Sequence, residues 1–95
     1  MAFAPLDPIL HNQLRLAIMS LLVAVEEGDF NFLLEKTGAT RGNLSVQISK
    51  LKEAGFIEVK KTFKENYPNT QCSITPKGLA AFEAYVKAIK DYLGS

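Results

Sequence analysis

The side chains in this sequence that could do chemistry are suited to phosphates and base edges rather than to catalysis. Between residues 41 and 64 six cations, Arg41, Lys50, Lys52, Lys60, Lys61 and Lys64, stand against two carboxylates, Glu53 and Glu58. Residues 1–40 reverse the balance, with Arg15 and Lys36 against Asp7, Glu26, Glu27, Asp29 and Glu35. The formal net charge of +1 therefore conceals a polarised chain. Such asymmetry lets one surface meet a polyanion while the rest stays soluble and indifferent to it. On charge alone, a solvated lysine-rich face is the plainer alternative.

Catalytic and metal chemistry have no comparable support. His11 and Cys72 are the only histidine and cysteine, which excludes an internal disulfide and any intrachain zinc site built from several such ligands. A reducing compartment is compatible with that cysteine usage. No Gly-rich phosphate loop or nucleophile elbow occurs. His11, near a helix start, reads as an exposed or interface side chain, and Glu26, Glu27 and Asp29 as solvated carboxylates at a helix end. The sequence thus implies no catalytic residue, no cofactor and no metal.

A chain of 95 residues, 47% apolar and 22% charged, has the composition of one globular domain with little room for a substrate pocket beside its core. Its longest apolar stretch, Leu16 to Val25, is broken by Ser20 and too short to span a bilayer, and no secretory signal precedes it. The expectation is a cytoplasmic protein with no membrane partner.

The elements that must carry the basic segment can be read from periodicity. Asp7 and Pro8 form a cap and first-turn pair for a short helical turn that takes in Ile9 and Leu10. Leu14, Ile18, Leu21, Leu22 and Val25 then recur at helical spacing from about Asn12 to Glu26, and Gly28 ends that helix. Asp29 and Phe30 make a brief extended link. A two-turn helix fits Asn31 to Lys36, capped by Asn31 and stopped by Gly38. Thr40 caps a third helix with Leu44, Ile48 and Leu51 as its buried stripe, closed by Gly55. Two helices joined by a short glycine-containing turn are a helix-turn-helix, about residues 30–54.

From Phe56 the period changes to two. Ile57, Val59 and Phe63 alternate with Glu58, Lys60, Thr62 and Lys64, residues 65–69 are turn-rich, and Cys72 and Ile74 share a face of a second strand. This hairpin, about residues 56–75, projects beyond the core because Lys61 interrupts the inward series. Cys72 reads as core rather than a redox sensor. Thr75 and Pro76 start a last helix, about residues 76–93, in which Gly78 is a mild propensity cost. Its Leu79, Phe82, Val86, Ile89 and Leu93 follow a three-four spacing suited to pairing with another helix, the alternative being packing on the first helix of the same chain. Tyr85, Tyr92 and the N-terminal Phe3, Leu6, Ile9 and Leu10 add apolar surface that a lone small domain could not easily bury. A homodimer is the expectation.

With Leu44, Ile48 and Leu51 inward, the third helix turns Gly42, Ser45, Val46, Ser49 and Lys50 outward, flanked by Arg41, Asn43 and Gln47. Serine and glutamine reach base edges, Arg41 suits guanine or phosphate, and Val46 suits a thymine methyl, though a stray apolar surface residue is the plainer account of it. Free N–H groups at Thr40, Arg41 and Gly42 could hold a phosphate. Lys60, Lys61, Lys64, Asn66 and Asn69 on the hairpin would add backbone or minor-groove contacts that govern affinity more than specificity.

The element order, with the runs His11–Ile18, Phe32–Gly38, Thr40–Ile57 and Ser73–Gly78, resembles winged-helix transcriptional regulators of the MarR/ArsR type, particularly their short prokaryotic and archaeal members. Gln13 stands where many of those have proline, Asn69 where they commonly carry arginine or lysine, and Cys72 where they carry an aromatic. The resemblance implies a mainly α fold with a small β-hairpin wing (α+β), in which N- and C-terminal helices form the dimer. It also implies two recognition helices entering successive major grooves of a pseudo-palindromic operator in double-stranded DNA, with half-sites about 34–36 Å apart. An effector pocket, if there is one, would lie between the dimer helices and the DNA-binding lobe, and no residue identifies its ligand. The rival is a winged-helix module for protein association, which would show an apolar outward face over residues 41–50, where here only Val46 is apolar.

Overall fold

The structure is a computed structural model and describes residues 3–94. The elements run α1 (Gln13–Val25), β1 (Glu27–Asp29), α2 (Phe30–Thr37), α3 (Arg41–Glu53), β2 (Ile57–Lys64), β3 (Tyr67–Ile74) and α4 (Pro76–Tyr92). The expected α+β architecture, helices with a hairpin, is the one that forms.

Each helix start is set by a short polar side chain satisfying an orphan backbone N–H. Asp7 Oδ1 accepts from Ile9 N–H at 2.9 Å and organises the turn before α1. Asn12 caps α1, and Thr40 caps α3 through Asn43 N–H at 3.2 Å. The α2 cap is Asp29, accepting from Phe32 N–H at 2.8 Å, not Asn31 as the sequence pattern implied. A carboxylate at that position also complements the helix dipole, so α2 starts at Phe30. Gly38, left-handed at φ 68°, stops α2 as expected.

Gly28 does not end α1. The helix stops at Val25, Glu26 turns the chain at φ 69°, and Gly28 lies in β1 opposite Cys72. The short link is therefore a strand, and the hairpin belongs to a three-stranded antiparallel sheet of order β1-β3-β2. The turn-rich segment also narrows. Only Glu65 and Asn66, at φ 52° and 68°, make the hairpin turn, and Tyr67, Pro68 and Asn69 pair with Lys64, Phe63 and Thr62. Pro68 is tolerated because β1 reaches only as far as Gln71, leaving the tip of β3 an edge.

The core joins Leu10, Ile18, Met19 and Leu22 to Leu33, to Leu44, Ile48 and Leu51, and to Phe56, Ile57, Cys72 and Tyr85. Met19, absent from the periodic stripe, is fully buried, whereas Val25, included in it, is 45% exposed beyond the end of the packed face. The α3 stripe is buried as expected, so the orientation of that helix follows directly from its sequence.

Burial, and then the nearby Asp29 carboxylate, push the Cys72 thiol up from 9.0 to about 11. The thiolate is the nucleophile, so native protein at pH 8 is expected to resist a disulfide reagent that labels it rapidly in urea. Fast labelling of the native state would contradict this packing. The raised value also has a sign. An unfolded Cys72 ionises near 9.0 while the folded one keeps its proton, so its stabilising contribution is complete below pH 9 and lost towards pH 11. The urea midpoint should fall across that window more in wild type than in Cys72→Ala.

Candidate nucleic-acid interface

The inward stripe of α3 leaves Thr40, Arg41, Gly42, Asn43, Ser45, Val46, Ser49 and Lys50 exposed on the opposite side. Val46 is 50% exposed amid polar neighbours. Arg41 lies with its guanidinium 5.8 Å from the Phe30 ring centroid, which restricts its swing without consuming its donors. Gln47 differs from the others. It is only partly exposed, its Oε1 accepts from Arg15 Nη1, and its Nε2 donates to Asn43 Oδ1 at 3.0 Å.

The wing residues divide between two faces. The register pairs Lys60 with Gln71, Thr62 with Asn69 and Lys64 with Tyr67 on one side, and Lys61 with Thr70 and Phe63 with Pro68 on the other. Lys61 and Thr70, together with Ser45, Ser49 and Lys52 of α3, line a groove of about 230 Å³ between helix and wing. Lys60 and Lys64 lie on the far face, and Asn66 forms the tip. Asn69 donates to Gln71 Oε1 at 3.3 Å, and Gln71 in turn donates to Glu27 at 2.7 Å, so this amide braces the wing against β1. Sequence reasoning missed Lys52 in the groove; it was counted as a cation but assigned to no face. Phe63 and Tyr67 at the tip are 78% and 74% exposed.

Two of the three acidic residues that follow α1 have structural partners. Asp29 caps α2 and Glu27 receives Gln71. A separate cleft of about 350 Å³ lies between α1 and α3, bounded by Asn12, Leu14, Ala17, Thr37, Asn43 and Gln47. It adjoins α3 rather than the terminal helices.

The terminal helix presents two stripes. Gly78, Tyr85 and Ala88 are buried against the chain's own core. Tyr85, expected on a pairing surface, is 7% exposed with its hydroxyl 3.0 Å from His11 Nδ1, and Leu10 is fully enclosed. Leu10 is enclosed in the core and Tyr85 is buried against His11, so neither side chain is free to meet a partner. Leu6, Ile9, Phe82 and Ile89 are half-buried against the same core. Leu79, Val86 and Leu93, spaced by seven residues, stand outside it, with Leu79 39% and Leu93 75% exposed. Phe3 stacks on Tyr92 at 4.7 Å between centroids, and the Tyr92 hydroxyl donates to Ala4 O, so the N-terminal segment extends this apolar patch.

Comparison with known proteins places this geometry. The model of the winged helix DNA-binding domain matches residues 14–93. An uncharacterised protein of Methanocaldococcus jannaschii is 40% identical over 81 residues, covering 85% of this chain and 88% of its own. Among solved structures, a transcriptional regulator homologue from Pyrococcus horikoshii superposes with a TM-score of 0.84 at 27% identity, over 90% of this chain and 85% of its own. A structure from Enterococcus faecalis described as a MarR-family transcriptional regulator gives 0.73 at 19% identity, over 88% and 74%. Among the described residues no helix is long and apolar enough to cross a membrane. With four helices and the β2–β3 hairpin as its wing, the chain belongs to the winged helix DNA-binding domain family and has the fold of MarR-type transcriptional regulators.

Proposed function

We propose that the protein is a sequence-specific transcriptional regulator that binds double-stranded DNA as a homodimer. The α3 face enters the major groove and the wing lies on the backbone or in the minor groove. The observation that carries this reading is the groove between α3 and the wing, where Ser45, Ser49, Lys52, Lys61 and Thr70 converge beside an outward face that is polar except for Val46. Hydroxyls and cations along a channel open to solvent suit a phosphate strand, with base edges under Arg41, Gly42, Asn43, Ser45, Val46 and Ser49. Lys50 and the backbone at Thr40 would hold flanking phosphates. The heptad of exposed Leu79 and Leu93 with half-buried Val86 between them, extended by exposed Phe3, supports α4 as the dimer seam. Two copies related by a two-fold axis would then read an inverted repeat.

The test is fluorescence anisotropy with a labelled duplex, using first a randomised pool and then the species it enriches, at two salt concentrations. Tight, salt-sensitive binding and an enriched two-fold-symmetric site are expected. Arg41→Ala should narrow the gap between operator and random duplex by about 1–3 kcal/mol. Lys60→Ala or Lys64→Ala should weaken both and reduce the salt slope by about 1. Absence of binding at low salt would shift the reading to a protein-association module.

A further inference from the structure

Arg15, in the first turn of α1, is the residue through which that helix touches the recognition helix with a charged group. Its guanidinium donates from Nε to Ile9 O at 2.6 Å, from Nη2 to Pro8 O at 3.5 Å and from Nη1 to Gln47 Oε1. All three acceptors are neutral. A guanidinium can only donate, so the contact settles which end of the Gln47 carboxamide faces Arg15. The oxygen must turn inward, which turns the Gln47 Nε2 towards Asn43, and Asn43 accepts it through Oδ1 at 3.0 Å. The polarity then passes to the surface. Asn43 is exposed on the first turn of α3, its oxygen is engaged within the protein, and its Nδ2 is left as the group it can offer.

Resting on the DNA-binding reading above, we propose that Arg15 is a positioning residue for base recognition, fixing a two-amide relay so that Asn43 presents a hydrogen-bond donor to the major groove. A free asparagine pairs with adenine by using its oxygen and nitrogen together, accepting from N6 and donating to N7. Here the oxygen already carries a bond from Gln47, so the donor is favoured over the bidentate pair. Guanine, with acceptors at both N7 and O6, is the matching edge, and cytosine, whose N4 donates, is the mismatched one. Gln47 consequently acts through Asn43 and does not itself read a base.

The decisive variant is Gln47→Glu. It conserves shape and keeps an acceptor for Arg15, but its side chain cannot donate, so Asn43 must turn its Nδ2 inward and its oxygen outward. The preference at one position of each half-site should invert from guanine towards cytosine, by about tenfold, the scale of one lost or gained base-edge contact. Comparing sequences within one variant cancels any uniform loss from the added charge. Arg15→Met should erase most of the preference, again compared between sequences within the variant, and Arg15→Lys, also an obligate donor, should restore it. Circular-dichroism melting confirms that each variant is folded. If folded Gln47→Glu and Arg15→Met both keep the wild-type preference, the relay proposal is overturned while the regulator reading stands. If wild type binds no duplex at all, both fall together.

Discussion

Gly78→Ala is expected to lower the unfolding free energy by about 3 kcal/mol or more, at the upper end of what overpacking by one methyl produces. A Cβ built at this position lies 2.0 Å from the carbonyl oxygen of Phe56 and 2.8 Å from its carbonyl carbon. Those are backbone atoms immediately before β2 and have no rotamer by which to yield. The first turn of α4 would have to lift away, and with it the joint formed by Thr75. That side chain donates to Gly55 O at 2.6 Å and accepts from Gly78 N–H at 2.9 Å, while its backbone N–H bonds Phe56 O at 3.1 Å. Urea denaturation should show a lower midpoint at an unchanged slope. Gly42→Ala is the control. Nothing lies within 4 Å of its added methyl in a regular helix, so stability should rise by about 0.5–1 kcal/mol. A Gly78→Ala protein within about 0.5 kcal/mol of wild type, the range of ordinary surface changes, would mean that α4 does not approach Phe56 this closely.

The second large effect is on assembly. If the proposed dimer forms through α4, Val86→Glu combined with Leu93→Glu should yield a monomer in sedimentation velocity, with the melting profile of the domain retained. These residues share the free heptad stripe with Leu79 and lie outside the packed cluster, whereas Phe82 and Ile89 touch it. Charging Phe82 or Ile89 would therefore confound dissociation with unfolding. Two linked half-site contacts typically gain 10²–10⁴ in affinity over one, so the double variant should lose about a hundredfold or more on a two-half-site duplex. Its binding to a single half-site should be nearly unchanged. Persistence of the dimer would place the seam elsewhere, and the stacked Phe3–Tyr92 patch would be the next surface to charge.

The helix-turn-helix was legible because its signals are local. Thr40 as a cap, Gly38 as a stop and Leu44, Ile48 and Leu51 at helical spacing depend on neighbours within a few residues, and all three hold in the structure. The outward face of α3 followed by subtraction. The missed cap at Asp29 has the same local nature, but Asn31 was an equally good candidate by residue type, and only the extended backbone of β1 decides between them.

By itself, then, the sequence determined the order of the helices and the hairpin, which side of α3 is buried, the gathering of cations between residues 41 and 64, and a last helix with more apolar positions than one face can bury. Those properties reside in periodicity, capping chemistry and charge, which act over one or two turns of chain. Tertiary structure alone decided the rest. It recruited Glu27–Asp29 into the sheet, set Lys61 beside Lys52 of α3, withdrew Leu10 and Tyr85 from the surface, and brought Arg15 against Gln47. It also turned Gly78 from a propensity cost into a steric requirement. The physical reason is common to all of these. Each depends on a contact between residues distant in the chain, and neither spacing nor residue type encodes the separation of two backbones that meet only after folding.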